Sequence, residues 1–324
     1  MPRLKRSKTT RPGLTRRRSG AGFSYVAVDG STVRDSDVRD RIDSLAIPPA
    51  WTDLWIAPEE LGHIQAIGTD AAGRRQYIYH PVWREKRDRT KFVRSLELAA
   101  TLPGARAVVT RDLRDDEPTE TRTLAAAFRI LDTASPRVGG ERYLESNGSH
   151  GLSTLLCSHV SVSTTDHISI NFRGKGGLDW EAEFDDHDLA HVIRSLKRRG
   201  ATARLLAWKD GDSWHPLAAS AINDYVRERT HGEFTAKDFR TLRGTIVAAE
   251  SLAGSGPTKM RRDRQAALKK AFEDASTALG NTPTIAKKSY VDPRVIDLYR
   301  RGKTIAIKRG SSPEKALREL LGAD

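Results

Sequence analysis

The sequence predicts an α+β protein of two lobes: a small β-sheet N-terminal lobe, and a mainly α-helical lobe interrupted by one three-stranded antiparallel sheet. Three observations predict it. Apolar and polar residues alternate with period two in short runs between Phe23 and Tyr79. Past about residue 90 the apolar period becomes helical. Three alternating runs then return between Val160 and Phe184. At 324 residues the chain has length for about two domains of common size and enough core to fold without covalent staples.

Taken in order, residues 1–20 hold eight Lys or Arg (Arg3, Lys5, Arg6, Lys8, Arg11, Arg16, Arg17, Arg18) and no acid, which predicts a disordered basic tail. Residues 21–90 are expected to form the β-rich domain. FSYVAVDGSTVRD alternates around Asp29-Gly30, a hairpin signal. TDLWIAP, GHIQAIG and GRRQYIYHP supply three further strands, with Gly68 to Gly73 turning between the last two. In the last strand, alternation puts Arg75, Tyr77 and Tyr79 on one face and Arg74, Gln76 and Ile78 on the other. The basic stretch that follows, Arg74 to Arg94, reads as an interdomain linker running into a helix.

Residues 91–324 are expected to form the helical domain. In RTLAAAFRILDTA, Leu124, Ala127, Phe128 and Leu131 make one stripe. HVSVSTTDHISINFRGKGGLDWEAEF reads as the three-stranded meander, with Lys175 at the tip of its second turn among three glycines. Pro216 to Gly232 is expected to be a helix. Another, FTAKDFRTLRGTIVAAESLAG, is opened by Thr235 as N-cap with Asp238 three residues on, and places Lys237 and Arg240 on one face. NTPTIAKKSYVDP predicts a short helix entered through Thr282 and Pro283, with Tyr290 in its last turn and Asp292-Pro293 capping the next.

Composition narrows the class. Fifty-five Lys plus Arg against 42 Asp plus Glu leave a net charge of +13, which points to a polyanionic partner. The tail and the Arg74 to Arg94 stretch carry all of that excess, and smaller clusters at Lys259 to Lys270 and Lys287 to Arg309 are offset by acidic runs. The single cysteine, Cys157, excludes a disulfide framework and a four-cysteine zinc site. No apolar run approaches the roughly 20 residues of a membrane span, and the basic start lacks the apolar stretch of a secretory signal. The expectation is an intracellular protein.

Conventional motifs give little. GSGPTK, Gly254 to Lys259, lacks the glycine before lysine and the preceding strand of a phosphate loop. His187 and His191 sit four apart beside carboxylates, a spacing read as a solvated helix face rather than a metal site. What stands out is an ordered cationic set, each member in a turn or at a helix end: Arg137 in SPRVGGERY, Lys175 in FRGKGG, Arg240 in KDFRT, then Asn281 and Tyr290 in NTPTIAKKSY. With the GRRQYIYHP strand, these motifs resemble the type IB DNA topoisomerases, in the short form shared by poxviruses and bacteria. The resemblance covers nearly the whole chain after the tail.

That resemblance implies the tyrosine recombinase/topoisomerase IB catalytic fold, with Tyr290 the nucleophile that cuts one strand and forms a 3′-phosphotyrosyl link. It matches Arg137 and Arg240 to the family's paired phosphate-binding arginines, Lys175 to its general acid, and Lys237 to a second lysine in proton relay. Asn281 stands where the family usually has histidine, which keeps a donor and removes its titration. Arg74, Gln76, Tyr77 and Tyr79 match a groove-contacting strand, and Arg142 with Tyr143 match contacts beside the first arginine. The implied partner is double-stranded DNA held by a monomeric clamp, with no cofactor, ATP or metal. Tyrosine recombinases share the catalytic fold but normally place the second arginine in an HxxR motif, where this chain has Lys237-Asp238-Phe239-Arg240. A non-enzymatic architectural DNA binder would explain the charge but not the ordered set.

Overall fold

The computed structural model describes residues 3–306 and 310–323. Met1 and Pro2 of the basic N-terminal segment, and the end of the cluster Lys287 to Arg309 from residue 307, lie outside the described residues. The chain divides into two compact units, Met1–Thr90 and Lys91–Asp324.

In the N-terminal unit, β1 (Thr15–Ser19) pairs antiparallel with β2 (Gly22–Val26), and after α1 (Ser36–Ser44) a second sheet runs in the order β3 (Thr52–Ile56), β4 (Ile64–Thr69), β5 (Arg75–Tyr79). Leu14, Ile42, Ile56 and Ala66 form its small core. This corrects the expectation of a disordered tail. Arg16 donates to the carbonyls of Ile47, Pro48, Pro49 and Trp51 and lies 4.1 Å over the Phe23 ring. Ser7 exchanges bonds with the backbone of Ile64. Long-range partners of this kind are invisible to a local charge count. Asp29-Gly30 does turn the chain, but the return is a single bridge, Val26 to Thr32, and the ladder partner of β2 is β1.

The expected linker is also corrected. Pro81–Leu113 is one helix, α2, of 33 residues. Pro81 occupies its first turn, where the missing N–H costs nothing, and Glu85 pairs with Arg89 one turn on at 3.4 Å. Polar composition was mistaken for irregular backbone, although Lys, Arg and Glu are good helix formers.

In the larger unit, α3 (Glu120–Ala134) is capped by Thr119, whose hydroxyl accepts from the Arg122 N–H, and ends at Ser135 in the left-handed region. Phe128, Ile130 and Leu131 are fully buried, and Phe128 meets Phe239 edge-on at 5.4 Å. Each such side chain contributes roughly 1.5–3 kcal/mol. After α4 (Glu141–Asn147), the antiparallel sheet β6 (Val160–Val162), β7 (His167–Arg173), β8 (Asp179–Asp185) follows in chain order. Ile168, Ile170, Phe172 and Trp180 turn inward, as the alternation requires.

Next come α5 (His187–Lys197), the hairpin β9 (Ala207–Asp210) and β10 (Ser213–Pro216), and α6 (Ala219–Thr230). Pro216 therefore ends a strand instead of opening a helix. The chain closes with α7 (Ala236–Ser255), α8 (Arg261–Leu279), α9 (Pro283–Ser289), α10 (Pro293–Arg300) and α11 (Pro313–Leu321). Arg106 of α2 ties three helices together, with both Asp132 oxygens within 2.9 Å and Glu314 at 2.6 Å. No helix among the described residues is long and apolar enough to cross a membrane.

Candidate active site

The start of α7 sets the frame. Thr235 and Asp238 form a reciprocal capping box, and the Asn223 side chain accepts from the Ala236 N–H at 3.1 Å. With its N-terminus so held, α7 carries Lys237 exposed in the first turn and Arg240 one turn on, only 3% exposed. Arg240 donates through Nη1 to the Ser135 carbonyl at 2.6 Å and through Nη2 to the Leu279 carbonyl at 2.8 Å, while its buried Nε has no partner. The guanidinium is thus locked between the end of α3 and the end of α8. Its Cζ lies 5.1 Å from the centre of the Tyr290 ring.

Arg137 follows directly on the end of α3, and its Nη1 donates to the Gly280 carbonyl at 3.2 Å. Both arginines are therefore anchored on the backbone where α8 gives way to α9. Tyr290 is the residue that closes α9, at φ −132°, just past the last turn that was expected to contain it. Lys175 stands exposed at the tip between β7 and β8, where Gly176 and Gly177 adopt φ of 78° and 73°, a turn that L side chains resist. Its Nζ is 5.8 Å from the Tyr143 ring centre.

Arg137, Tyr143, Lys175, Lys237, Arg240 and Tyr290 line one cleft of about 520 Å³. Four cations line it with one phenol, and three of them, Arg240, Arg137 and Lys237, act on that phenol. Burial by itself raises the Tyr290 hydroxyl, but the charges of Arg240, then of Arg137 and Lys237, outweigh it and hold the phenol below its ordinary 10.0. Burial lowers the Arg240 guanidinium, opposed by Tyr290 and reinforced by Arg137. A guanidinium remains charged at neutral pH even so. Anionic character is therefore favoured in this cleft, either on the tyrosine or on a group brought to it.

Asn281 is not among the residues lining the cleft. It sits one residue beyond the Gly280 carbonyl that anchors Arg137, and both its amide nitrogen and its oxygen are buried without a hydrogen-bond partner. Arg142 is exposed on α4 next to Tyr143 and outside the lining. In the N-terminal unit, β5 carries Gln76, Tyr77 and Tyr79, with Arg74 just ahead of it. Arg74 and Gln76 both bond Asp70, whose carboxyl the Arg74 hydrogen bonds, above all, pull down to about 2. Tyr77 and Tyr79 stack at 6.2 Å, and Tyr77 is 43% exposed.

Sequence reasoning missed Ser149, His150 and Asn223, which also line the cleft. His150 had a local signal, lying 13 residues past Arg137 in the same segment, but Asn223 is brought to the site by its bond to the Ala236 N–H at the start of α7. His187 pairs with Asp166 at 2.6 Å. No group of three or more His, Cys, Asp or Glu able to hold a metal occurs among the described residues.

Comparison with known proteins follows the same lines. Residues 80–308 match the family described as eukaryotic DNA topoisomerase I, catalytic core, and residues 22–70 match the family described as bacterial DNA topoisomerase IB, N-terminal domain. The chain is similar to DNA topoisomerase 1B of Acanthamoeba polyphaga mimivirus, 29% identical over 91% of this chain and 90% of the relative. It is 28% identical to DNA topoisomerase 1B of Vaccinia virus (strain Copenhagen), over 82% of this chain and 83% of that one. Against DNA topoisomerase 1 of Mycosarcoma maydis, identity is 22% over 71% of this chain and 25% of the longer relative.

Proposed function

Because the chain belongs to the type IB DNA topoisomerases, we propose that it relaxes positive and negative supercoils by cutting and resealing one strand of double-stranded DNA, with Tyr290 as nucleophile. The gathering of Arg137, Lys175, Lys237, Arg240 and Tyr290 in one cleft, with Arg240, Arg137 and Lys237 acting on the phenol, carries the reading.

In the forward step the Tyr290 oxygen attacks the scissile phosphorus. A bond forms from tyrosine to phosphorus, the bond to the 5′-oxygen breaks, and a 3′-phosphotyrosyl link and a free 5′-hydroxyl result. The transition state gathers charge on the non-bridging oxygens, where fixed cationic donors act most strongly. Arg137 and Arg240 supply them, and Arg240 has an unpaired buried Nε to offer. The buried amide of Asn281 is suited to donate a further bond once a phosphate oxygen arrives. Lys175 gives the leaving oxygen its proton, since an ammonium near pKa 10.4 releases one more readily than a guanidinium above about 12. Lys237 assists that transfer.

As Tyr290 attacks, its proton passes to water, and Arg240, Arg137 and Lys237, which hold the phenol below its ordinary value against burial, ease that loss. One phosphodiester replaces another of similar energy, so resealing is the same step reversed and requires no ATP. Arg74, Gln76, Tyr77 and Tyr79 of the N-terminal unit contribute groove contacts of a monomeric enzyme to the duplex, Arg142 and Tyr143 contacts beside Arg137, and the basic residues of the Arg74 to Arg94 stretch reach phosphates.

The test is incubation with supercoiled plasmid in EDTA without ATP, for the wild type and for Tyr290→Phe. Relaxation by the wild type alone, with a 3′ adduct trapped by SDS, is the expected result. An adduct formed by the Phe variant would remove Tyr290 from its role, and a requirement for paired target sites would identify a recombinase.

A further inference from the structure

The chain around Tyr290 is seated on α7, and the residues of that seat are not among the cleft cations. Thr245, 1% exposed, places its hydroxyl 3.0 Å from the Tyr290 carbonyl and accepts the Asp292 N–H at 3.1 Å. Its one proton is shared between the Tyr290 carbonyl and the Thr241 carbonyl at 2.9 Å, so the hydroxyl holds the backbone on both sides of residue 291 while tied to its own helix. The neighbouring residue, Gly244, leaves the space in which that backbone lies. A Cβ there would come within 2.9 Å of Tyr290 Cβ, 3.1 Å of Tyr290 O and 2.9 Å of Leu279 Cδ1. The Leu279 methyl can turn away, but Tyr290 Cβ moves only with its backbone, so Tyr290 must shift by a few tenths of an ångström.

We infer that Gly244 and Thr245 are positioning residues that set where the Tyr290 hydroxyl stands relative to the cations of α7. The inference rests on Tyr290 being the nucleophile. Lys237, Arg240 or Thr241, and Gly244 or Thr245 recur every three to four residues, so cations and seat share one side of a single helix. The relation of Tyr290 to Arg240 is then fixed by helix geometry instead of by a loop. Such a device is needed because Tyr290 has left the regular backbone of α9, with one bond back to the Ala286 carbonyl at 2.9 Å, before Asp292 caps α10. Unseated, this short connection would let the phenol drift, and displacement of a reacting group by about 1 Å can cost on the order of a hundredfold in rate.

Thr245→Val keeps the shape of the side chain and removes the hydroxyl, leaving the Tyr290 carbonyl and the Asp292 N–H to find other partners. Thr245→Ser retains the hydroxyl. Gly244→Ala acts from the other side by pushing Tyr290 off α7. Alanine is the better helix former, so whatever the crowding costs in stability, this last change would leave the cleavage rate of the folded protein unchanged if the seat had no role.

The experiment measures single-turnover adduct formation with protein in excess, DNA affinity by anisotropy, and thermal melting, for these variants and Tyr290→Phe. Cleavage by Thr245→Val and Gly244→Ala is expected to fall roughly tenfold or more, with Thr245→Ser within about threefold of wild type and DNA affinity of all within about threefold. Cleavage by both Val and Ala variants within threefold of wild type overturns the inference. So does a Ser variant that melts like wild type and cleaves as poorly as Val. If Thr245→Val loses its cooperative melt, Gly244→Ala decides alone. An adduct in Tyr290→Phe overturns the nucleophile reading instead, so the two failures are distinguishable.

Discussion

Replacing Arg240 by lysine keeps the positive charge and tests whether the planar fork matters. In the structure Nη1 and Nη2 are each committed to a carbonyl, Ser135 and Leu279, at 2.6 and 2.8 Å, and the charge lies against the Tyr290 ring. A lysine ammonium cannot hold both carbonyls and also face a phosphate in the cleft. One buried acceptor is left unpaired, which costs about 1–3 kcal/mol of stability. Loss of a fixed donor at the transition-state oxygens costs on the order of 10²–10³ in rate. There is a second signature. Arg240 is the leading influence opposing burial at Tyr290, so without its closely set charge the phenol moves up, and the rise of cleavage rate with pH moves to higher pH. Rapid-quench adduct formation between about pH 6 and 10, with DNA affinity measured alongside, reads both effects. Cleavage by Arg240→Lys within about threefold of wild type, with an unmoved pH profile, would refute the argument.

Other perturbations address separate residues. Lys175→Ala should slow cleavage by about 10²–10⁴ on ordinary DNA, and much less on a substrate whose leaving group is a thiol, since a thiolate departs without a proton; equal losses on both would exclude a general-acid role. Wild-type cleavage should show no inflection near pH 6–7 arising at Asn281, whereas Asn281→His should introduce one, its rate falling as the imidazolium loses its proton; a wild-type inflection that vanished in Asn281→Ala would contradict this. Away from the cleft, burial raises the Glu314 carboxyl but Arg106 outweighs it and holds it below 4.5, so its contribution is present above the unfolded pKa and lost as pH falls through the folded one. Glu314→Gln should destabilise the protein at pH 7 by about 1 kcal/mol, discounted because Arg106 is a third exposed, and the difference should shrink below about pH 4 in denaturant titrations.

The meander, α3, α7 and α9 were legible because each is written in local code: strict alternation from Val160 to Phe184, the Leu124 to Leu131 stripe, the Thr235/Asp238 box, and Thr282-Pro283 at a helix start. The basic tail and linker were misread because charge reports hydration, not backbone conformation. Arg16 found four carbonyls that lie 31 to 35 residues along the chain, and the Arg84 to Arg94 stretch is simply helix. The hairpin Ala207–Pro216 gave too short an alternation to be recognised.

For the site, the order of Arg137, Lys175, Lys237, Arg240 and Tyr290 along the chain named the chemistry, since residue type and spacing are properties of sequence. Only the tertiary structure decided that Arg240 is buried and spent on two carbonyls, that Asn281 stands outside the lining with its amide unpaired, and that three cations outweigh burial at one phenol. Those facts depend on distances between segments up to 150 residues apart, which packing of α3, α7 and the end of α8 sets and local pattern does not record. The +13 of the whole chain marked the kind of partner; the tuning of Tyr290 falls off with distance, so it depends on the few charges that folding brings close.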